Sequence, residues 1–162
     1  MKKRLTIIQM DVHVNDVEYN YTRVQELLSQ SLSERPDIIV LPETWNTGFY
    51  PSKELINIAD RNGERTQSLL SAFAKEHNVN IVGGSVAVAK NDVVFNTSYA
   101  YNREGTLVGE YSKMHGFSPA KEDQYFAGGT HTTHFELDGI PCSTVICYDI
   151  RFPELVRMAA LP

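Results

Sequence analysis

Near the start of the chain, two short apolar runs flank an amphipathic helix, and this unit constrains the fold more than any other feature. Leu5–Met10 is an apolar stretch suited to a buried strand. Val24, Leu27, Leu28 and Leu32 fall at helical spacing and predict a helix over Glu18–Leu32. Pro36 stops that helix, and Asp37–Leu41 reads as a strand buried on both faces. Strand, helix, strand is the signature of a parallel or mixed sheet, which sets the fold class as α/β (α+β).

The pattern continues with a second helix marked by Leu69, Leu70, Phe73, Ala74 and His77, then a third strand over Asn80–Ala89. Hairpins follow. Val93–Tyr101 and Thr106–Tyr111 are joined by Asn102-Arg103-Glu104-Gly105, and Thr132–Leu137 and Ile140–Cys147 by Asp138-Gly139. A last helix runs from Phe152 to Leu161, with Pro153 in its first turn. The 162 residues suit one domain, read as 1–162, with no linker or repeat. The helix Phe152–Leu161 is barely begun when the sequence stops at Pro162, and its apolar face has no following element to pack on. The sequence therefore reads as the N-terminal portion of a larger layered domain.

Fifteen basic residues against 20 acidic ones give a formal charge of −5, which argues against a nucleic-acid surface. No apolar run reaches the ~18–20 residues needed to span a bilayer, so no membrane partner is expected. The basic start, Met1 to Arg4, is followed by an apolar stretch broken at Gln9 and Asp11, which reads as a strand and not a leader. Two cysteines, Cys142 and Cys147, suit a cytoplasmic protein with free thiols.

Three places set polar residues at the ends of predicted strands, where α/β proteins put their sites. Glu43 lies just past Asp37–Leu41, with Pro42 fixing the chain direction. Lys113 and His115 follow Thr106–Tyr111. Cys147 lies between a strand and a helix start, on an elbow where backbone N–H groups and a helix N-terminus favour a thiolate. Taken singly, Glu43 and Lys113 read as solvated side chains, His115 as a hydrogen-bonded structural histidine, and Cys142 as an inert core thiol. Taken together, Glu43, Lys113 and Cys147 supply a carboxylate base, a cation for an oxyanion and a thiol nucleophile.

The stretches Leu41-Pro42-Glu43, Tyr111-Ser112-Lys113-Met114-His115 and Val145-Ile146-Cys147-Tyr148-Asp149-Ile150-Arg151-Phe152-Pro153-Glu154 resemble the signature blocks of the nitrilase (carbon–nitrogen hydrolase) superfamily. The cysteine block is similar to that of its amidase branch, the Nit2-type ω-amidases. The resemblance covers essentially the whole chain. It implies a four-layer αββα sandwich, of which this chain holds the N-terminal portion. It implies Cys147 as nucleophile, Glu43 as general base, Lys113 as oxyanion stabiliser and the Tyr148 N–H as a second oxyanion donor. Glu122, nine residues past the lysine, takes the place of a further site glutamate. The reaction implied is hydrolysis of a small linear amide, an ω-amide of a 2-oxo acid, with no metal or organic cofactor and in a homodimer. Nitriles and N-carbamoyl compounds are alternatives with the same three residues, and a catalytically inactive fragment is another.

Other features are weaker. His131 and His134 lack partners at metal-ligand spacing and read as loop residues. Gly83-Gly84 and Gly128-Gly129 fit close packing better than a phosphate loop. Arg151 reads as pairing with Glu154 or Asp149, or else as binding a substrate carboxylate. Trp45, Phe49, Tyr50 and Phe117 read as core or as an apolar pocket wall. Gly116, where relatives carry a bulky aliphatic residue, is expected to loosen the lysine loop. Cys142 and Cys147, on opposite faces of a strand, are not placed to pair.

Overall fold

A computed structural model describes residues 2–161, so Met1 and Pro162 lie outside it. The elements are β1 (Leu5–Ile7), α1 (Val17–Ser31), β2 (Ile38–Val40), α2 (Leu55–Ile58), β3 (Asp60–Arg61), α3 (Glu64–His77) and β4 (Asn80–Val82). They continue with β5 (Val86–Lys90), β6 (Val93–Tyr101), β7 (Leu107–Ser112), α4 (Glu122–Tyr125), β8 (His134–Leu137), β9 (Ile140–Ser143) and α5 (Pro153–Ala160). Short 3₁₀ turns cover Leu32–Glu34, Ser118–Ala120 and Cys147–Arg151.

The opening unit forms as its pattern predicts. Asp16 caps α1 by accepting the Tyr19 N–H, and the helix buries Tyr21, Val24 and Leu28. It closes in a 3₁₀ turn with Arg35 left-handed at a φ of +51°, ahead of Pro36. β1, β2 and β4 then lie parallel, with Leu5 opposite Ile38 and Ile38 opposite Asn80. The seven-stranded sheet runs β1-β2-β4-β6-β5-β3, with β7 on the free side of β6. On one face, α1 and α3 close a core around Ile39, Leu41, Leu70, Ile81, Val88 and Tyr99.

The predicted strand Asn80–Ala89 is two strands. β4 and β5 both pair with β6, but the register slips between Ile81–Tyr101 and Val86–Thr97. Gly83 and Gly84 fill the break: a Cβ on Gly83 would press on Leu70, and one on Gly84, at a φ of +58°, would collide with the Pro42 carbonyl. The space is taken by the chain leaving β2, as Ser85 N donates to Pro42 O at 3.0 Å and Trp45 Nε1 to Gly83 O at 2.9 Å. The expected packing role of this glycine pair is therefore met.

β9 also stops early, at Ser143 and not Cys147, because Ser143 pairs with His134, the first residue of β8; beyond it the Ile146 N–H donates to the Asp149 carboxylate at 3.0 Å. Asp138 and Gly139 do form the β8–β9 turn, with φ of +51° and +77°. Asn91 and Asp92, both at positive φ, make a second tight turn between β5 and β6 that the pattern reading passed over. No helix among the described residues is long and apolar enough to cross a membrane.

Candidate active site

β2 and β7 run in the same direction, since each is related to β6 by antiparallel steps, so both deliver their C-terminal ends to one end of the sheet. Along β6 the residues alternate. Tyr99 and Tyr101 enter the helix-covered core, while Asn96 and Ser98 face the other side. Tyr111 pairs with Ser98, so Tyr111 and, two residues on, Lys113 share that second face. Glu43 arrives there from β2.

Lys113 lies between two carboxylates. Its Nζ is 2.7 Å from Glu43 Oε1 and 2.7 Å from Glu122 Oε2, and its side chain is 3% exposed. Burial on its own would lower the ammonium's pKa. Hydrogen bonds to Glu122 and Glu43, and their charges, outweigh burial and hold it above the ordinary lysine value. Asn96 Nδ2 donates to Glu43 Oε1 at 3.0 Å, and Phe117 N donates to Glu122 Oε2 at 2.6 Å. Two buried acceptors, Asn96 Oδ1 and Glu122 Oε1, have no donor among the described residues. A cavity of about 190 Å³ adjoins them, lined by Asn96, Lys113, Met114, Gly116, Glu122 and Phe126 among others.

Cys147 opens its 3₁₀ turn at a φ of +47°. A non-glycine residue in that region costs about 1–2 kcal/mol. The thiol is not held as a thiolate, contrary to the expectation from backbone dipoles. Burial, then the negative charge of Glu43, raise its pKa, and Lys113 opposes them only in part. The turn is too short, at five residues, for a helix dipole to reverse this. The raised pKa leaves a thiol facing the Glu43 carboxylate.

The structure thus brings Glu43, Lys113, Glu122 and Cys147 together. His115 keeps its structural reading: its ring stacks on Phe152 at 3.6 Å and its Nδ1 is 2.8 Å from Asp149. Tyr148 sits at the rim, its ring edge-on to Phe117 and Phe152. Arg151 is exposed and, among the described residues, pairs with neither Glu154 nor Asp149, because the Asp149 carboxylate is taken by Tyr111, His115 and Ile146. The structural reading of Arg151 is corrected accordingly.

Of the aromatic candidates, Trp45 is core, while Phe49, Tyr50 and Phe117 cluster beside Tyr148. At Gly116 a Cβ would stand 3.2 Å from Asp123 N, so the glycine admits the close approach of α4 and with it Glu122. Gly129 packs likewise on Ser112, and its N–H binds Lys113 O at 2.9 Å. Cys142 is half-buried in the β8–β9 hairpin, not in the core. His131 and His134 are exposed, and no group of three or more potential metal ligands occurs among the described residues. Asn96 and Asp149 were missed as site residues. The signal for Asn96 was a polar run, Asn96-Thr97-Ser98, inside an otherwise apolar strand.

A thiol, a carboxylate and an ammonium converge at the strand ends of a mixed sheet, which defines an α/β protein with its candidate site where such folds place them. Comparison with known families makes this specific. The carbon-nitrogen hydrolase family model matches residues 4–162, and the chain belongs to that family. It is 41% identical to a 2-oxoglutaramate amidase of Bacillus subtilis over 157 residues, covering 97% of this chain and 60% of that protein. It is 33% identical to the omega-amidase NIT2 of Danio rerio over 98% of this chain and 59% of the relative. Among solved structures, XC1258 of Xanthomonas campestris, a CN-hydrolase superfamily protein with an arsenic adduct in its active site, superposes with a TM-score of 0.83. It is 29% identical, over 94% of this chain and 56% of that one. The chain thus has the nitrilase-type fold of its N-terminal portion, and spans about 60% of the length of the curated relatives it matches.

Proposed function

We propose that this protein hydrolyses a small linear amide, the ω-amide of a 2-oxo acid, to a carboxylate and ammonia through a thioester on Cys147. The observation that carries this reading is the Glu43–Lys113 contact at 2.7 Å beside a thiol whose proton that same glutamate disfavours losing to water. The likeness to a 2-oxoglutaramate amidase supports the substrate class.

Glu43 takes the thiol proton as sulfur attacks the amide carbonyl, so no free thiolate accumulates. The oxygen gains negative charge and meets the Lys113 ammonium and the Tyr148 backbone N–H. Glu43 returns its proton to the leaving nitrogen, the C–N bond breaks, and ammonia departs from a thioester. Glu43 then deprotonates a water that attacks the thioester, releasing the acid and restoring the thiol. Lys113, held cationic by two carboxylates, keeps its proton throughout. Glu122 fixes the lysine and the Phe117 loop. Arg151, exposed four residues past the nucleophile, is the cation for a substrate carboxylate.

Ammonia release from 2-oxoglutaramate and simpler amides tests this, with Cys147→Ala as the control. Release that is lost in Cys147→Ala is the expected result, and Arg151→Ala should raise KM for the carboxylated amide more than for an uncharged one. Release from nitriles in place of amides would move the assignment to the nitrile-cleaving branch.

A further inference from the structure

Asp149 is fully buried and lies two residues past Cys147. Its carboxylate collects donors from both sides of the site. Oδ2 accepts Tyr111 Oη–H at 2.7 Å and Ile146 N–H at 3.0 Å. Oδ1 accepts His115 N–H at 3.0 Å and stands 2.8 Å from His115 Nδ1. Tyr111 and His115 bracket Lys113 along the chain, as Ile146 and Asp149 bracket Cys147. One carboxylate thus ties the lysine-bearing strand end to the cysteine-bearing turn.

We propose that Asp149 is a positioning residue that holds Cys147 in its left-handed conformation and sets the thiol against Glu43 and Lys113. The proposal rests on the reading of Cys147 as the nucleophile. The charges that act on the thiol belong to Glu43, Lys113 and Glu122, so Asp149 works through geometry and not through its own field. A carboxylate is required because two of the donors are backbone N–H groups, one on each oxygen. An asparagine offers one acceptor oxygen and one NH₂. Tyr111 and His115 Nδ1 are able to reverse their roles toward that NH₂, but a backbone N–H is not. Whichever way the amide turns, either Ile146 or His115 loses its acceptor.

The test is alkylation of Cys147 by iodoacetamide as a function of pH, in a Cys142→Ser background with a single thiol, alongside thermal unfolding. In the parent, the midpoint lies above that of an ordinary thiol, and Glu43→Gln lowers it. Asp149→Asn, still melting cooperatively, is expected to bring the midpoint down toward the ordinary thiol value, since the sulfur drifts from Glu43. Turnover of the amide should fall about 100-fold, the scale of a ~1 Å misplacement, with KM little changed. Tyr111→Phe, which removes one side-chain donor and spares both backbone bonds, should shift the midpoint in the same direction by less. A midpoint and rate in folded Asp149→Asn equal to the parent's would overturn the proposal; if that variant does not fold, an unchanged Tyr111→Phe would do so. Amide turnover that persists in Cys147→Ala would instead remove the nucleophile reading on which the proposal stands.

Discussion

At the scale of single residues, the sign of two pKa shifts divides the labour in the site. Lys113 is held above its ordinary value and Cys147 is raised as well, so neither suits the part of base near neutrality; the proposed mechanism gives that task to Glu43. Removing the lysine exposes the cost of the arrangement. Lys113→Met leaves the buried Glu122 and the half-buried Glu43 without their cation, and stability is expected to drop by about 3 kcal/mol at neutral pH. Repulsion between the two carboxylates adds to that loss. Thermal melts of parent and variant at pH 7 check it. The left-handed backbone of Cys147 makes a separate prediction: Cys147→Gly and Cys147→Ala are both inactive, but the glycine variant is more stable by about 1 kcal/mol. Equal melting temperatures would show that the turn carries no strain.

At the scale of elements, the glycine pair between β4 and β5 is what lets the chain past β2 bring Glu43 to the site. Gly84→Ala both enters a left-handed position and strikes the Pro42 carbonyl, so a loss of about 2 kcal/mol or more is expected in denaturant unfolding. The same comparison shows what the sequence made legible. Helix α1, strands β2, β6 and β7, and the Asp138–Gly139 turn depend on local periodicity and turn chemistry, and were readable to within a residue or two. Strand ends were less so. β9 ends at Ser143, where its partner β8 begins at His134, and the β4–β5 break is set by a neighbour crossing from β2; neither limit is encoded in the strand itself. The site divides in the same way. Glu43, Lys113, Glu122 and Cys147 stand in recognisable short stretches. Asn96 and Asp149 work through partners 53 and up to 38 residues away, and only the fold reveals them.

At the scale of the whole molecule, a cluster of charges fastens the β8–β9 hairpin to the opposite end of the sheet from the site. Asp138 binds Lys3 at 2.7 Å and Arg103 at 2.7 Å, and Arg103 also reaches Asp37 at 2.9 Å. These groups are partly exposed, so each pair is worth about 1 kcal/mol or less. Arg103 above all holds the Asp138 carboxyl well below the usual range. A carboxyl with a depressed folded pKa stabilises above its unfolded value of about 4, and that stability is lost as pH falls further. Between pH 6 and 3 the parent should therefore lose more melting temperature than Asp138→Asn, which starts lower. Parallel curves would mean that the hairpin is held by Phe135 and Leu137 packing alone.

The central claim is a covalent intermediate, and rapid acid quench followed by intact-mass measurement reads it directly. The protein is mixed with 2-oxoglutaramate, quenched on the millisecond-to-second scale, and mapped by peptide. The expected result is an adduct equal to the amide minus ammonia, located on Cys147, formed more slowly in Lys113→Met and absent in Cys147→Ala. Ammonia release that persists in Cys147→Ala, or an adduct mapped to any other residue, would contradict it.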